Sequence, residues 1–482
     1  MHCIRKILSI TYQNLRTCNE VNNVNRTYKR ARVLLQNIAC RFNHDSEGDA
    51  STESEEERNQ YRQLSNHYLG TAAGHRLFVL QPYIKWGRNK KRNTTPELQM
   101  AEAVALVNTL PYWCVVGTKY APLLSLQRKT LIGSGSIQNM KQAIYKSENP
   151  TAIFISTNQL KFVQMVQLEK IFGLPVYDRY SIIIHIFREH AKSPEAKLQV
   201  ALAEIPYIRK KMLETCITAS GAAFITEKMK LLLDDKEKKL KTNLKKLQQH
   251  RQLIRSRRKN IGMPTVAVIG YTNSGKTTLI KALTNDTSLQ PENKLFATLD
   301  TTAHQGILLN RLKILYMDTI GFIQDVPETL IEPFVVTLQD AIIADVIVHI
   351  YDVSHPDMQA QYEHVQQTIK SMIGEDRSVI DVANKCDLVE NDCIPENVIA
   401  VSATKLTGID VLRLEIEKVL LGTTGLLRKR IRVESGSPAA KWFYKWTTVV
   451  DAVPDPNNAQ YLILNVLVTS RDLEEFKQFL RQ

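Results

Sequence analysis

From about residue 70 onward, apolar residues along this chain follow two alternating rhythms: short unbroken runs, and longer segments with a helical spacing. Arg76-Leu-Phe-Val-Leu80 and Ala152-Ile-Phe-Ile155 predict buried strands, whereas Glu97 to Leu106 and Asp178 to His190 predict helices. Together they make a small α/β domain over residues 70–194. His185 and His190 lack metal-ligand partners at a useful spacing and read as ordinary helix residues. Two long helical stretches follow, Glu195 to Met212 and Glu227 to Arg258, around a break at Ile217 to Ile225. In the second, Leu233, Leu240, Leu244, Leu247 and Ile254 recur at a/d positions, which predicts a coiled helical hairpin over residues 195–260. Thr265 to Ile269, Leu312 to Met317 and Ser378 to Ala383 predict buried parallel strands, with a helix at Thr277 to Leu283, so residues 261–422 form a mostly parallel sheet. Strands around Thr447 to Val453 and Tyr461 to Val468, then a helix from Asp472 to Leu480, predict a small α+β domain over residues 423–482. Trp442, Tyr444 and Trp446, at the entry to the first of these strands, read as core.

The N-terminal region departs from both rhythms. Residues 1–43 carry Arg5, Lys6, Arg16, Arg26, Lys29, Arg30, Arg32 and Arg41 against the single acid Glu20, with apolar residues interleaved. This is the composition of a mitochondrial transit peptide; a basic arm that binds nucleic acid shares the charge and differs in amphipathicity. Residues 44–69, opening on Asp45 to Glu57, read as an acidic linker unable to bury a core. The net charge of +14 over 482 residues points to an anionic partner. Seven scattered cysteines without a C-x-x-C pair suggest neither a disulfide framework nor a zinc site and fit a reducing compartment. No run of eighteen apolar residues offers a membrane span.

The candidate chemistry sits at the ends of the predicted parallel strands. Gly270-Tyr-Thr-Asn273-Ser274-Gly275-Lys276-Thr277 matches a phosphate loop in every fixed position, with Thr278 following in the helix. Glycines let backbone amides approach phosphate closely, Lys276 reaches the β- and γ-phosphates, and the Thr277 hydroxyl is a Mg2+ ligand. Asp318-Thr-Ile-Gly321 ends the next strand, where a water-bridged metal carboxylate and a γ-phosphate-sensing amide belong. Asn384-Lys385-Cys-Asp387 ends the third, and there a carboxylate accepts two hydrogen bonds from guanine that adenine cannot offer. Val401-Ser402-Ala403 is expected to supply the donor to guanine O6. The predicted substrate is therefore GTP. Between the first two motifs, Leu295 to Thr302 is placed as a switch loop, with Thr298 as the chosen second Mg2+ ligand and Thr301 and Thr302 as rivals. Lys276, Thr298, Asp318 and Gly321 form the predicted catalytic set. Phe322 stands where a water-positioning glutamine would serve, so unaided hydrolysis should be slow and a partner must complete the site.

The second hairpin helix carries a one-sided run of lysine and arginine. Like charges at helical spacing repel unless phosphates neutralise them, so Lys238, Lys241, Lys245, Arg251 and Arg255 are RNA-contact candidates.

An α/β domain, a helical hairpin and a P-loop GTPase domain with a hydrophobic residue after Gly321 together resemble the HflX family of ribosome-associated GTPases. Gly270 to Thr277, Leu295-Phe-Ala-Thr-Leu-Asp300, Asp318-Thr-Ile-Gly-Phe-Ile323 and Leu198-Gln-Val-Ala-Leu-Ala203 look like family signatures over roughly residues 70–480. Gln81-Pro-Tyr-Ile-Lys-Trp-Gly87 and Leu299-Asp-Thr-Thr-Ala-His304 look more like its animal mitochondrial branch. The resemblance implies a Ras-like nucleotide domain and a GTPase of the mitochondrial matrix, stimulated by the ribosome. It further implies binding to the large ribosomal subunit and its rRNA, and a role in separating ribosomal subunits and assisting large-subunit maturation. It implies Mg2+ as cofactor, no DNA partner and a monomeric chain. Asn273 matches a position that holds a monovalent cation in potassium-stimulated relatives, which adds K+ as a candidate. The sequence departs from the bacterial pattern at Thr301, where a proline is usual, and at the hairpin tip, where only Gly221 remains of a glycine-rich loop. The alternative function is an RNA-binding assembly chaperone that uses GTP only to time its release.

Overall fold

The structure, a computed structural model, describes residues 55–70, 74–84, 94–123, 125, 131–218, 223–260, 263–324, 330, 334, 343–373, 378–390 and 398–480. The predicted transit segment, most of the acidic stretch and the hairpin tip at Gly221 lie outside these residues. Residues Gln60–Gln482 form one compact unit.

The N-terminal sheet is four-stranded and parallel, in the order β2 (Cys114–Leu123), β1 (Arg76–Ile84), β3 (Ala152–Ile155), β4 (Val176–Asp178). β3 and β4 are buried on both faces and β1 over most of its length, which is why β3 reads as an apolar run rather than an alternation, whereas the edge strand β2 is largely exposed or half-buried. One expectation fails here. Residues 55–69, assigned to the acidic linker, form a helix (Glu55–Leu69) whose Leu64, Tyr68 and Leu69 enter the main core. The acidic composition of its first turn conceals the apolar spacing of Tyr61, Leu64 and Tyr68 on one face.

The hairpin helices are Pro194–Thr218 and Ala223–Asn260. Leu233, Leu240 and Leu244 form a buried seam along the second. The first is less an arm than a piece of the core: Val200, Ala203, Tyr207, Ile208 and Met212 are buried against the α/β domain. A buried ionic group fastens it there. Asp178, at the end of β4, accepts hydrogen bonds from Tyr207 Oη at 3.0 Å and from the Leu160 and Ser181 amides at 3.0 and 2.9 Å, and lies 3.7 Å from Lys211 Nζ.

The nucleotide-domain sheet has the order β10 (Ile399–Ala400), β9 (Val379–Asn384), β8 (Val346–Asp352), β5 (Thr265–Gly270), β7 (Lys313–Asp318), β6 (Thr302–Ile307). Every pair is parallel except β6 with β7. The four candidate motifs follow β5, β7, β9 and β10 on the carboxyl edge, where ligands bind in open α/β sheets.

The C-terminal domain pairs β11 (Leu427–Glu434), β13 (Asn458–Val468) and β12 (Thr448–Asp455) antiparallel, in that order, with helices Pro438–Trp446 and Ser470–Phe479. The aromatic residues expected to enter a strand lie on the first of these helices. Phe443 faces the core, Trp442 packs against it, and Tyr444 and Trp446 are 56% and 62% exposed. Among the described residues, no helix is long and apolar enough to cross a membrane.

Candidate nucleotide site

β5 delivers the chain to Gly270, and the phosphate loop turns into the helix Lys276–Thr284 through Gly275, whose φ is +94°. A side chain at Gly275 is excluded twice over, by that left-handed φ and because a Cβ would collide with Asn384 Nδ2. Gly321 is constrained by approach rather than φ: a Cβ there would sit 2.8 Å from Thr272 Cα and 3.0 Å from Lys276 Nζ. Both glycines keep the floor of a phosphate-sized cleft bare.

Lys276 is buried, its ammonium donating to the Tyr271 carbonyl at 2.8 Å and the Gly270 carbonyl at 3.3 Å. Burial pushes its pKa down to about 8, and Asp318 pulls it part of the way back. Carbonyls are poor compensation for a buried cation, so an incoming anionic phosphate satisfies a group that the fold leaves short of negative charge.

Three hard oxygens converge beside it. The Thr277 hydroxyl donates to Asp318 Oδ2 at 2.6 Å, and the Thr298 hydroxyl lies 3.2 Å from the same oxygen and 3.1 Å from Thr277 Oγ1. Burial raises the Asp318 pKa, with the two hydroxyls and Lys276 opposing the shift, and its Oδ1 is buried without a hydrogen-bond partner. A buried carboxylate with an orphaned oxygen beside two threonine hydroxyls fits Mg2+, which takes oxygen ligands and supplies the missing charge. Thr272 Oγ1 and Ser274 Oγ are likewise buried and unpartnered. Of the three candidate threonines, the structure gathers Thr298. Thr301 precedes β6, and Thr302 opens β6 with its hydroxyl 2.9 Å from His304 Nε2.

The base-side motifs are joined to the phosphate loop by side chains. Asn384 Nδ2 donates to the Ser274 carbonyl at 2.8 Å while its Oδ1 accepts the Ala403 amide at 3.2 Å. Lys385, at φ +61°, donates to the Asn273 carbonyl at 3.2 Å and to Asp352 Oδ2 at 2.6 Å. Asp387 is held below the usual carboxylate range by the Ser402 hydroxyl, with Lys405 at 3.5 Å. The amides expected to meet guanine O6 are already engaged, Ser402 with the Thr407 carbonyl at 3.0 Å and Ala403 with Asn384. A purine oxygen would share the Ala403 amide with Asn384. Thr278 and Asn273 line the phosphate cleft.

Phe322 is buried and knitted to the phosphate loop by backbone: Thr272 N–H donates to the Phe322 carbonyl at 2.7 Å and Phe322 N–H to the Gly270 carbonyl at 3.1 Å. Sequence reasoning missed Asp352, because β8 was not recognised. It also missed a polar node between the two α/β sheets: Tyr271 Oη donates to Glu102 Oε2 at 2.9 Å and accepts the Gln324 amide at 2.9 Å, and Arg179 binds both Glu102 and the Gln324 carbonyl. Tyr271, inside the phosphate-loop motif, was the available signal.

The hairpin face is less uniformly charged than its sequence suggested. Arg209 pairs with Asp234 and Glu237, Lys239 with Asp235, and Lys241 with Glu237 at 2.6 Å. Lys238, Lys241 and Lys245 are exposed, whereas the side chains of Arg251 and Arg255 lie outside the described ones.

A phosphate loop, a hydroxyl and carboxylate cluster on the adjacent strand and a base-side brace, all on one sheet edge, define a P-loop GTPase. Two family matches coincide with its domains, "50S ribosome-binding GTPase" over residues 265–385 and "GTP-binding GTPase N-terminal" over residues 97–188. The chain is 36% identical to "Putative GTP-binding protein 6" of Xenopus laevis, covering 88% of this chain and 84% of that one. It is 37% identical to the Homo sapiens protein of the same name, covering 86% and 83%. It is also 33% identical to "GTPase HflX" of Caldanaerobacter subterraneus subsp. tengcongensis, covering 64% and 74%. The chain belongs to the HflX family of GTPases.

Proposed function

We propose that this GTPase acts in the mitochondrial matrix on the large ribosomal subunit, and that its GTP cycle drives dissociation of ribosomes and assists large-subunit maturation. The observation that carries this reading is the continuity of one core: the basic hairpin is anchored through Asp178 to an α/β domain whose Glu102 and Arg179 touch the nucleotide loops. An rRNA phosphate backbone docked on exposed Lys238, Lys241 and Lys245 would thereby load the same compact unit that contacts the site of hydrolysis.

In the cycle, Lys276 and the phosphate-loop amides would bind the β- and γ-phosphates, Thr277 and Thr298 would hold Mg2+ directly with Asp318 acting through water, and the Gly321 amide would sense the γ-phosphate. A Mg2+ ion held there would supply neutralising charge to the phosphates. Asp387 and the Ala403 amide read guanine. Phe322 leaves the attacking water without a side-chain partner, so the docked ribosome supplies the group that orients it. Loss of γ-phosphate releases Thr298 and Gly321, and affinity for the subunit falls.

The test is sedimentation of purified mitochondrial ribosomes with the full chain and GTP, a non-hydrolysable analogue or GDP. The expected result is separated subunits, with the protein on the large one in the analogue state. Intact ribosomes throughout, with binding only to immature large subunits, would instead make the protein an assembly chaperone.

A further inference from the structure

We propose that Asp300 is a positioning residue for GTP hydrolysis, acting through Ser193 at the head of the first hairpin helix to hold Thr298 against Thr277 and Asp318. The Asp300 carboxylate accepts the Ser193 amide on Oδ2 at 3.1 Å and the Ser193 hydroxyl on Oδ1. Ser193 in turn starts the helix: its hydroxyl oxygen accepts the Ala196 amide at 3.0 Å and its carbonyl accepts the Lys197 amide at 3.1 Å. The only proton of that hydroxyl goes to Asp300 while its lone pair caps the helix, so neither bond competes with the other. A carboxylate at the amino end of a long helix is also favoured by the helix dipole.

The same loop is pinned a second time, on the other side of Thr298. Phe296 has φ +53°, a conformation that a bulky side chain adopts only when its surroundings impose it. Its ring packs edge-on against Phe187 of the α/β domain, centroids 4.9 Å apart, and Phe187 also meets Phe334 at 4.8 Å. Thr298 thus lies between two attachments to the N-terminal domain, one aromatic and one a carboxylate that accepts two hydrogen bonds. Of the two, only the Asp300 to Ser193 contact is directional enough to set where the threonine hydroxyl points. The hydroxyl completing the oxygen cluster is presented by the hairpin's first turn as much as by the nucleotide domain itself.

This inference rests on Thr298 as a ligand in the GTP state, and the experiment separates the two. Single-turnover GTP hydrolysis by the full chain is measured across a Mg2+ titration, together with equilibrium affinities for GDP and a non-hydrolysable GTP analogue. Asp300→Ala and Ser193→Ala are each expected to slow hydrolysis by about tenfold, the loss of a charge-assisted hydrogen bond. They should raise the Mg2+ concentration needed for half-maximal rate and weaken the analogue, while GDP, which has no γ-phosphate for the loop to close on, binds as before. The double variant should be no slower than Asp300→Ala alone, because the hydroxyl bond that Ser193→Ala removes is one of the two already lost with the Asp300 carboxylate. Asp300→Asn, which keeps acceptor and shape, should recover part of the rate. A wild-type rate in Asp300→Ala, additive effects in the double variant, or equal losses of GDP and analogue would overturn the proposal. A wild-type rate in Thr298→Ala would instead remove the ligand reading beneath it.

Discussion

Asp178 and Asp318 occupy the same topological place in two different sheets, each a buried carboxylate at the carboxyl end of a parallel strand. Asp178 has both oxygens occupied, by two amides, a tyrosine hydroxyl and a nearby buried lysine. Asp318 has one oxygen shared by two hydroxyls and the other bare. Equal burial with unequal satisfaction separates their roles: the first carboxylate is a joint of the fold, the second waits for something the chain does not provide.

The contrast is most sharply broken at Asp318. Asp318→Asn should lower GTP hydrolysis by about 10²–10³-fold, the scale on which removing one preorganised electrostatic group acts, measured as single-turnover rate at saturating Mg2+. It should at the same time raise the melting temperature of the nucleotide-free chain. Burial puts the folded pKa of Asp318 above its unfolded value, so the folded state holds the proton more tightly and stability falls as pH rises through that window. A neutral asparagine escapes the penalty at pH 7. Asp178→Ala should do the reverse, removing roughly 3–5 kcal/mol of stability by stranding the buried Lys211 ammonium, with GDP affinity of the folded fraction retained; denaturant melts and nucleotide titration check both halves. If Asp178→Ala lowers hydrolysis without lowering stability, the distinction is wrong.

Smaller effects sharpen the picture. Because burial pushes Lys276 down to about 8, GTP association with the free protein should weaken as pH rises past that value and the ammonium loses its proton, a trend readable in a pH series of binding isotherms. Replacing Lys238 and Lys245 together by alanine should lower the salt dependence of large-subunit binding by about two in the slope of log K against log salt, with little change in hydrolysis away from ribosomes.

The nucleotide site was legible because phosphate recognition depends on backbone access and short-range donors, which fixed spacings encode. β5, β7 and β9 showed as apolar runs because most of their residues are buried. Most of what escaped shares another property: its polar residues are satisfied by distant parts of the chain. β8 (Val346–Asp352) is interrupted by His349, a fully buried imidazole whose Nδ1 lies 2.8 Å from Asp381 Oδ1. β11 is an exposed edge strand whose Arg428, Lys429, Arg430 and Arg432 hide its alternation, a charge pattern that discourages edge pairing. The helix over residues 55–69 has its Tyr61 hydroxyl bonded to Glu204 at 3.0 Å, a contact across more than a hundred residues that no local pattern announces. The joining of the α/β domain to the nucleotide loops through Glu102, Arg179 and Tyr271 escaped for the same reason.

Phe322 sets a limit on how this clock can be retuned. Its ring belongs to the main core, beside Tyr271 and Ile323, and its backbone is stitched to the phosphate loop on both sides. Installing a glutamine there would bury an amide where apolar packing is required, at a cost in stability. On the function proposed above, a glutamine at this place is therefore no simple route to faster unaided hydrolysis, and the timing stays with the docked subunit.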